Sequence, residues 1–184
     1  MEPRTVRDMM VPISDHATIS ENATLQEAAV AFEKASRGDN PQARNIVLVL
    51  GSGGEPVGEI NDLDVLRSLE PGYKAIGDLR STSLSGLNTE FLTTMLQKYN
   101  LWQDPLGALC EKAAGIRVEQ VDYKPVSGQY VTEDTPLNQA IHLLIVGQHE
   151  SLLVMGTGGE GLVGVLHRRS VFRVVLERIK ACKL

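Results

Sequence analysis

Apolar and polar positions along the chain fall into three recurring patterns. Leu25, Ala28, Ala29 and Phe32 repeat at helical spacing, as do Leu137, Ala140, Ile141 and Leu144, so each stretch predicts an amphipathic helix. Ile46–Leu50 and residues 152–155 are short apolar runs that read as buried strands. A glycine-rich segment follows each run, Gly51-Ser52-Gly53-Gly54 in one case and Gly156-Thr157-Gly158-Gly159 in the other. A second apolar run comes after each segment, at 57–60 and 162–166, which predicts two hairpins turned on positive-φ glycines. Closing helices then begin at Asp62-Leu63-Asp64-Val65-Leu66 and at Arg168. Asn22 and Asp134 stand just ahead of the first helix of each set and read as N-cap or turn residues.

These patterns are two copies of one unit. Ser20-Glu21-Asn22-Ala23-Thr24-Leu25-Gln26-Glu27-Ala28 aligns with Thr132-Glu133-Asp134-Thr135-Pro136-Leu137-Asn138-Gln139-Ala140. Val57-Gly58-Glu59-Ile60 aligns with Val163-Gly164-Val165-Leu166. Each copy reads strand, helix, strand, strand, helix. The first carries about seven additional residues around Ser36 to Gln42. A unit of about 60 residues is marginal for burying a core alone, so the copies are expected to pack sheet against sheet. That pseudo-twofold arrangement leaves two related clefts between them.

Between the copies the sequence does not repeat. Pro71-Gly72 breaks the preceding helix, and Ser81 to Ser85 reads as a loop. Asn88 caps a stretch with Phe91, Leu92, Met95, Leu96 and Tyr99 on one face, and a second short helix follows Pro105 with Leu106, Leu109, Cys110 and Ala113. This amphipathic insert either packs on the paired units or covers a dimer or partner surface.

Composition narrows the functional classes. Eighteen Lys plus Arg against 23 Asp plus Glu give a net charge of −5 in 184 residues, which argues against nucleic acid as a partner. No apolar run approaches the roughly 20 residues needed to cross a bilayer, and the first residues lack the pattern of a signal peptide. A cytoplasmic protein is expected, with Cys110 and Cys182 reduced and no metal site. The glycine clusters lack a following Lys-Ser or Lys-Thr and lie between strands, so hairpin turns explain them better than a phosphate loop. His16, His142, His149 and His167 are scattered, and no pattern links a nucleophile to a base. His142 lies on an apolar helix and reads as a partly buried structural residue.

The repeated unit resembles the cystathionine-β-synthase-type (CBS) domain, and the whole resembles a tandem CBS pair, or Bateman module. The first copy carries Val6-Arg7-Asp8-Met9-Met10-Val11-Pro12, the Thr18 to Ala28 segment and Gly58-Glu59-Ile60-Asn61-Asp62-Leu63-Asp64. The second opens with Val118-Glu119-Gln120-Val121 and closes with Gly164-Val165-Leu166-His167-Arg168-Arg169-Ser170. The resemblance implies an α/β (α+β) fold of two CBS domains, each a small three-stranded sheet with two helices, over residues 4–69 and 117–180, with 70–116 as linker and insert. It also implies a non-catalytic sensor that needs no cofactor and binds an adenosine-containing ligand such as AMP, ADP, ATP or S-adenosylmethionine. Such a module forms a homodimer and acts on an effector protein in trans.

Carried onto this sequence, the first cleft combines Asn61 and Asp64 with Lys124, Val126, Gln129, Glu150, Ser151 and Leu152. Asp64 is placed to accept from ribose hydroxyls, Lys124 to meet a phosphate, and Val126 and Leu152 to flank the base. Asn61 stands where the family has Ser or Thr, and Glu150 would repel a phosphate unless a cation intervenes. The second cleft combines His167, Arg168 and Ser170 with Pro12, Ser14, Ala17, Asn45 and Ile46. There His167 replaces Ser or Thr and Ser170 replaces Asp, so both motif positions depart from the family. The alternative reading is a ligand-free dimerisation or protein-interaction module whose clefts have degenerated.

Overall fold

The computed structural model describes residues 4–38, 40–41, 43–76, 88–103 and 107–181. Strand β1 (Val11–Pro12) comes first. The first copy then supplies β2 (Thr18–Ser20), α1 (Leu25–Arg37), β3 (Ile46–Leu50), β4 (Pro56–Asn61) and α2 (Asp62–Ser68). The segment between the copies holds α3 (Gly72–Ile76), α4 (Thr89–Lys98) and α5 (Leu109–Gly115). The second copy supplies β5 (Tyr130–Thr132), α6 (Leu137–Val146), β6 (Ser151–Met155), β7 (Leu162–His167) and α7 (Arg168–Ala181).

Local chemistry explains the boundaries. Thr24 caps α1: its hydroxyl accepts from the Glu27 amide at 3.2 Å while the Glu27 carboxylate accepts from the Thr24 amide at 2.7 Å. Asn22 and Asp134 therefore take the turn role rather than the cap, and Pro136 holds the N-cap position of α6 with no side-chain bond. Both glycine segments are hairpin turns, closed by Gly51 N–H to Glu55 O at 2.9 Å and Gly156 N–H to Gly161 O at 2.8 Å. The additional residues of the first copy lengthen α1 and the turn after it, where Asp39 and Gln42 lie outside the described residues.

Two small sheets result. One has the order β2-β3-β4 and the other β1-β7-β6-β5. In each, a parallel pair bridged by a helix is followed by an antiparallel hairpin, with Thr18 opposite Leu48 and Tyr130 opposite Leu153. The expected three-stranded sheet is present in one half, and the other gains β1 as a fourth strand.

That extra strand belongs to a reciprocal exchange. The segment that opens the first copy lies on the second: Val6 N–H donates to Thr135 O at 3.0 Å, Arg7 N–H to Glu133 O at 2.8 Å, and Val11 pairs with Val165. The segment that opens the second copy lies on the first in the same way, with Val118 N–H to Ala23 O and Glu119 N–H to Glu21 O, both 2.8 Å. Val6 is thus buried in the core of Val131, Ala140, Leu144, Leu152, Val154, Leu166 and Val171. Val118, Val121 and Tyr123 are buried in the core of Ile19, Leu25, Ala28, Val47, Val49 and Ile60.

The exchange explains the glycine of each closing motif. A Cβ at Gly58 would come within 2.2 Å of the Tyr123 carbonyl oxygen, and one at Gly164 within 2.9 Å of the Val11 carbonyl oxygen. Only glycine lets the crossing backbone approach so closely. Between the sheets lies a third apolar cluster of Ile46, Leu48, Leu153, Leu162 and Val165. Each such side chain contributes about 1.5–3 kcal/mol by burial. Small units that could not bury enough surface alone are thereby joined.

The insert is partly packed. A helix, α3, restarts directly after Pro71, a feature the Pro-Gly break concealed. Buried Leu101 and the Trp102 indole, which donates to Tyr73 Oη at 3.2 Å, anchor the chain beyond α4, and α5 lies against α1. Asn88 caps α4 as expected, its side-chain oxygen accepting from the Phe91 amide at 2.7 Å. Phe91, Leu92 and Leu96 are exposed. The expected loop at Ser81 to Ser85, and Pro105 and Leu106, lie outside the described residues.

Candidate functional site

A cleft of about 800 Å³ opens between the start of α2 and the 119–129 segment that crosses from the second copy. Asn61 and Asp64 form its α2 wall. They are locked together by a capping box: Asn61 Oδ1 accepts from the Asp64 amide and Asp64 Oδ2 accepts from the Asn61 amide, both at 3.0 Å. The opposite wall carries Tyr123, Lys124, Val126 and Gln129. Gln129 braces this loop, since its side-chain oxygen accepts from the Val126 amide at 3.2 Å. The Lys124 ammonium lies 6.0 Å from the Tyr123 ring centroid. Arg67, Lys74, Glu119 and Asp122 complete a rim of mixed charge.

Glu59, which the sequence reading did not single out, forms part of the cleft wall. It is 6% exposed. Its Oε1 accepts from Gln129 Nε2 at 3.0 Å and from the buried Ser151 hydroxyl, whereas Oε2 is buried with no hydrogen-bond partner. Burial pushes its carboxyl up to about 7, reinforced by the nearby negative charges of Asp64 and Glu150 and opposed by the two donors. The residue at the same strand position in the other copy is Val165, which faces Leu153 as Glu59 faces Leu48. The repeat alignment therefore contained the signal: one copy carries a carboxylate where its twin carries an apolar core residue.

The second cleft has a different content. His16 and His167 are buried, at 7% and 5% exposure, with rings stacked at 5.2 Å and their Nε2 atoms 3.0 Å apart. His16 Nδ1 lies 2.9 Å from the Pro12 carbonyl oxygen, so it carries the proton and donates. His16 Nε2 is then the acceptor and His167 Nε2 the donor. Both rings are neutral. Burial lowers His16, and burial together with His16 lowers His167 to about 3. The corresponding positions in the first cleft are Gly128 and Asn61, two residues without rings. The histidine pair is buried on this side of the interface, where the other side carries Gly128 and Asn61.

The expected site residues divide accordingly. Asn61, Asp64, Lys124, Val126 and Gln129 line the open cleft. Ser151 stands behind it, bonded to Glu59. Leu152 instead points into the core of the second copy, because adjacent residues on a strand face opposite ways. Glu150 is exposed and paired with Arg168, and it is not among the residues that line the open cleft. Pro12, Ser14 and Asn45 are exposed, Ala17 packs on the first core, and Ile46 lies in the cluster between the sheets. His167 and Ser170 are buried. His142, expected to be partly buried, is exposed on α6. Among the described residues no His, Cys, Asp and Glu group suited to a metal ion occurs.

The repeated unit and the exchanged openings define a tandem-domain architecture with a cleft where the two halves meet. The CBS domain family model matches residues 6–71 and 118–177, and the chain belongs to that family. Solved structures share the fold. The CBS-pair protein CBSX2 from Arabidopsis thaliana matches with a TM-score of 0.58 at 21% identity, covering 98% of this chain and 100% of that one. CBSX2 in complex with AMP matches at 0.57 and 22% identity, over 96% and 99% of the two chains. The CBS domain of the bacterial CNNM/CorC family Mg2+ transporter in complex with ATP matches at 0.58 and 16%, over 94% and 87%. Among curated proteins none matches the chain in sequence.

Proposed function

We propose that the chain is a non-catalytic regulatory module that binds one adenosine-containing ligand, AMP, ADP, ATP or S-adenosylmethionine, in the cleft walled by Asp64 and the 119–129 segment. The observation that carries this reading is the difference between two pseudo-equivalent places: the one walled by Asp64 is an open cleft, and the other holds the buried, hydrogen-bonded His16–His167 pair. The AMP complex of CBSX2 and the ATP complex of the CNNM/CorC domain support the ligand class. Asp64 accepts from the ribose and Lys124 supplies charge to a phosphate. The ligand acts by binding one arrangement of the two halves more tightly than another. The module needs no cofactor, works in the cytoplasm, and passes its signal to an effector protein in trans.

The module also forms a homodimer in this proposal. The exposed apolar side chains Leu63 and Leu66 on α2 and Phe172, Val175, Leu176 and Ile179 on α7 support it. The same surfaces favour the second reading, a ligand-free dimerisation module. Thermal unfolding separates the two. A ligand at 100 times its dissociation constant adds about 2.7 kcal/mol, which raises the midpoint by about 5–10 °C in a chain of this size. A shift with an adenosine ligand supports the sensor, and no shift with any of the four leaves the dimerisation module.

A further inference from the structure

The open cleft contains one group that neither the capping network nor the packing accounts for. Glu59 is a carboxyl side chain at a strand position whose twin is Val165, and its neighbours depart from the repeat in the same direction. Ser151 stands where the first copy has Ile46, and Gln129 where it has Ala17. Three polar residues thus replace three apolar ones at the same place in one cleft only. Ser151 and Gln129 both donate to Oε1 and hold the carboxyl in a single orientation. That leaves Oε2 buried and without a hydrogen-bond partner, on a residue that lines the cleft. An unpartnered buried acceptor is destabilising in the free protein, and a hydrogen-bond donor on a bound ligand removes that penalty.

We infer that Glu59 determines base specificity in the open cleft, its Oε2 accepting a hydrogen bond from the exocyclic amino group of an aminopurine. The inference rests on the reading of this cleft as a nucleotide site and names the feature of the base that is recognised. A 6-oxo purine presents a carbonyl oxygen at that place and meets the carboxylate with repulsion. A purine lacking the substituent leaves Oε2 unpartnered. The E59Q substitution makes a distinctive case. Ser151 and Gln129 keep the amide oxygen at the Oε1 position, so the amide nitrogen, a donor, takes the place of Oε2. The variant then favours the 6-oxo base.

The experiment is calorimetric titration of the full chain and of E59Q with AMP, IMP and purine riboside 5′-monophosphate, above the raised Glu59 pKa of about 7. The wild type binds AMP about tenfold or more tightly than purine riboside 5′-monophosphate, the value of one hydrogen bond to a charged acceptor. It binds IMP still more weakly, and E59Q binds IMP more tightly than AMP. Equal wild-type affinities for AMP and purine riboside 5′-monophosphate overturn the role of Glu59 and leave the cleft reading standing. Persistence of the AMP preference in a folded E59Q does the same. Absence of wild-type binding to all three nucleotides overturns this inference, and absence of binding to ADP, ATP and S-adenosylmethionine as well overturns the cleft reading with it. The wild-type comparison decides by itself if E59Q does not fold.

Discussion

Replacing Glu59 with Gln isolates the energetic consequence of a buried titrating carboxyl. Gln keeps an acceptor for Ser151 and Gln129 and nearly the same volume, so the change removes the ionisation and places an amide donor at the Oε2 position, an effect that does not vary with pH. The folded carboxyl sits at about 7 against an ordinary value of 4.5. Between those values the native state holds a proton that the unfolded state has released, so native stability falls as pH rises. The full shift corresponds to about 3 kcal/mol, of which about 2–3 kcal/mol develops between about pH 5 and about pH 8. Glu59→Gln should therefore gain stability relative to wild type by that amount over the interval, with no further gain above about pH 8. Urea denaturation of both proteins across the range measures it. Other groups, the histidine pair included, are common to both proteins and cancel in the difference. A difference that does not vary with pH would refute the reasoning, because it would mean that Glu59 ionises in the folded state as easily as in the unfolded one.

Three further outcomes follow from named contacts. Gly58→Ala should destabilise by about 2 kcal/mol or more in denaturant unfolding, because its Cβ meets a backbone carbonyl rather than a flexible side chain; an unchanged midpoint contradicts the crossing of the 121–123 segment. The His16–His167 pair should make the protein less stable as pH falls below about 6.5: with the folded pKa of His167 lowered to about 3, the unfolded state takes up the proton first, and stability drops by up to about 1.4 kcal/mol per pH unit. His167→Asn, which installs the residue of the other copy, should flatten that acid limb in the same denaturation series. Asp64→Asn retains a capping oxygen and removes the charge, so it should lower AMP affinity with little loss of stability. Asp64→Ala should also lose about 1 kcal/mol of helix capping. Calorimetry and melting of the two variants side by side separate the roles.

Most of the fold was legible because the repeat is local. Each copy holds its helix periodicity, its apolar strand and its hairpin glycines within a short stretch, and all of these elements are present. The exchange of opening segments was not legible, since Val11 pairs with Val165 and Glu59 with the Tyr123 carbonyl through tertiary packing that no local pattern encodes. The short helix α3 was hidden by Pro71-Gly72, which ends one helix and begins the next. In the site, Asp64 and Asn61 were readable from the motif. Placing Ser151 and Leu152 in the same cleft overlooked the twofold period of a strand, which sends Ser151 to Glu59 and Leu152 to the core. Glu59 and His16 were missed for a related reason. Each is ordinary in its own copy and informative only against its twin, Val165 in one case and Gly128 in the other.

In this proposal one nucleotide is held in the Asp64 cleft, and none beside the buried His16–His167 pair. Titration calorimetry of the chain with AMP, carried to saturation, tests it most directly through stoichiometry. One equivalent of AMP per chain is expected, with affinity reduced in Asp64→Asn and unchanged in His167→Asn. Two equivalents per chain, or no binding of AMP, ADP, ATP or S-adenosylmethionine at concentrations up to the millimolar range, would contradict it.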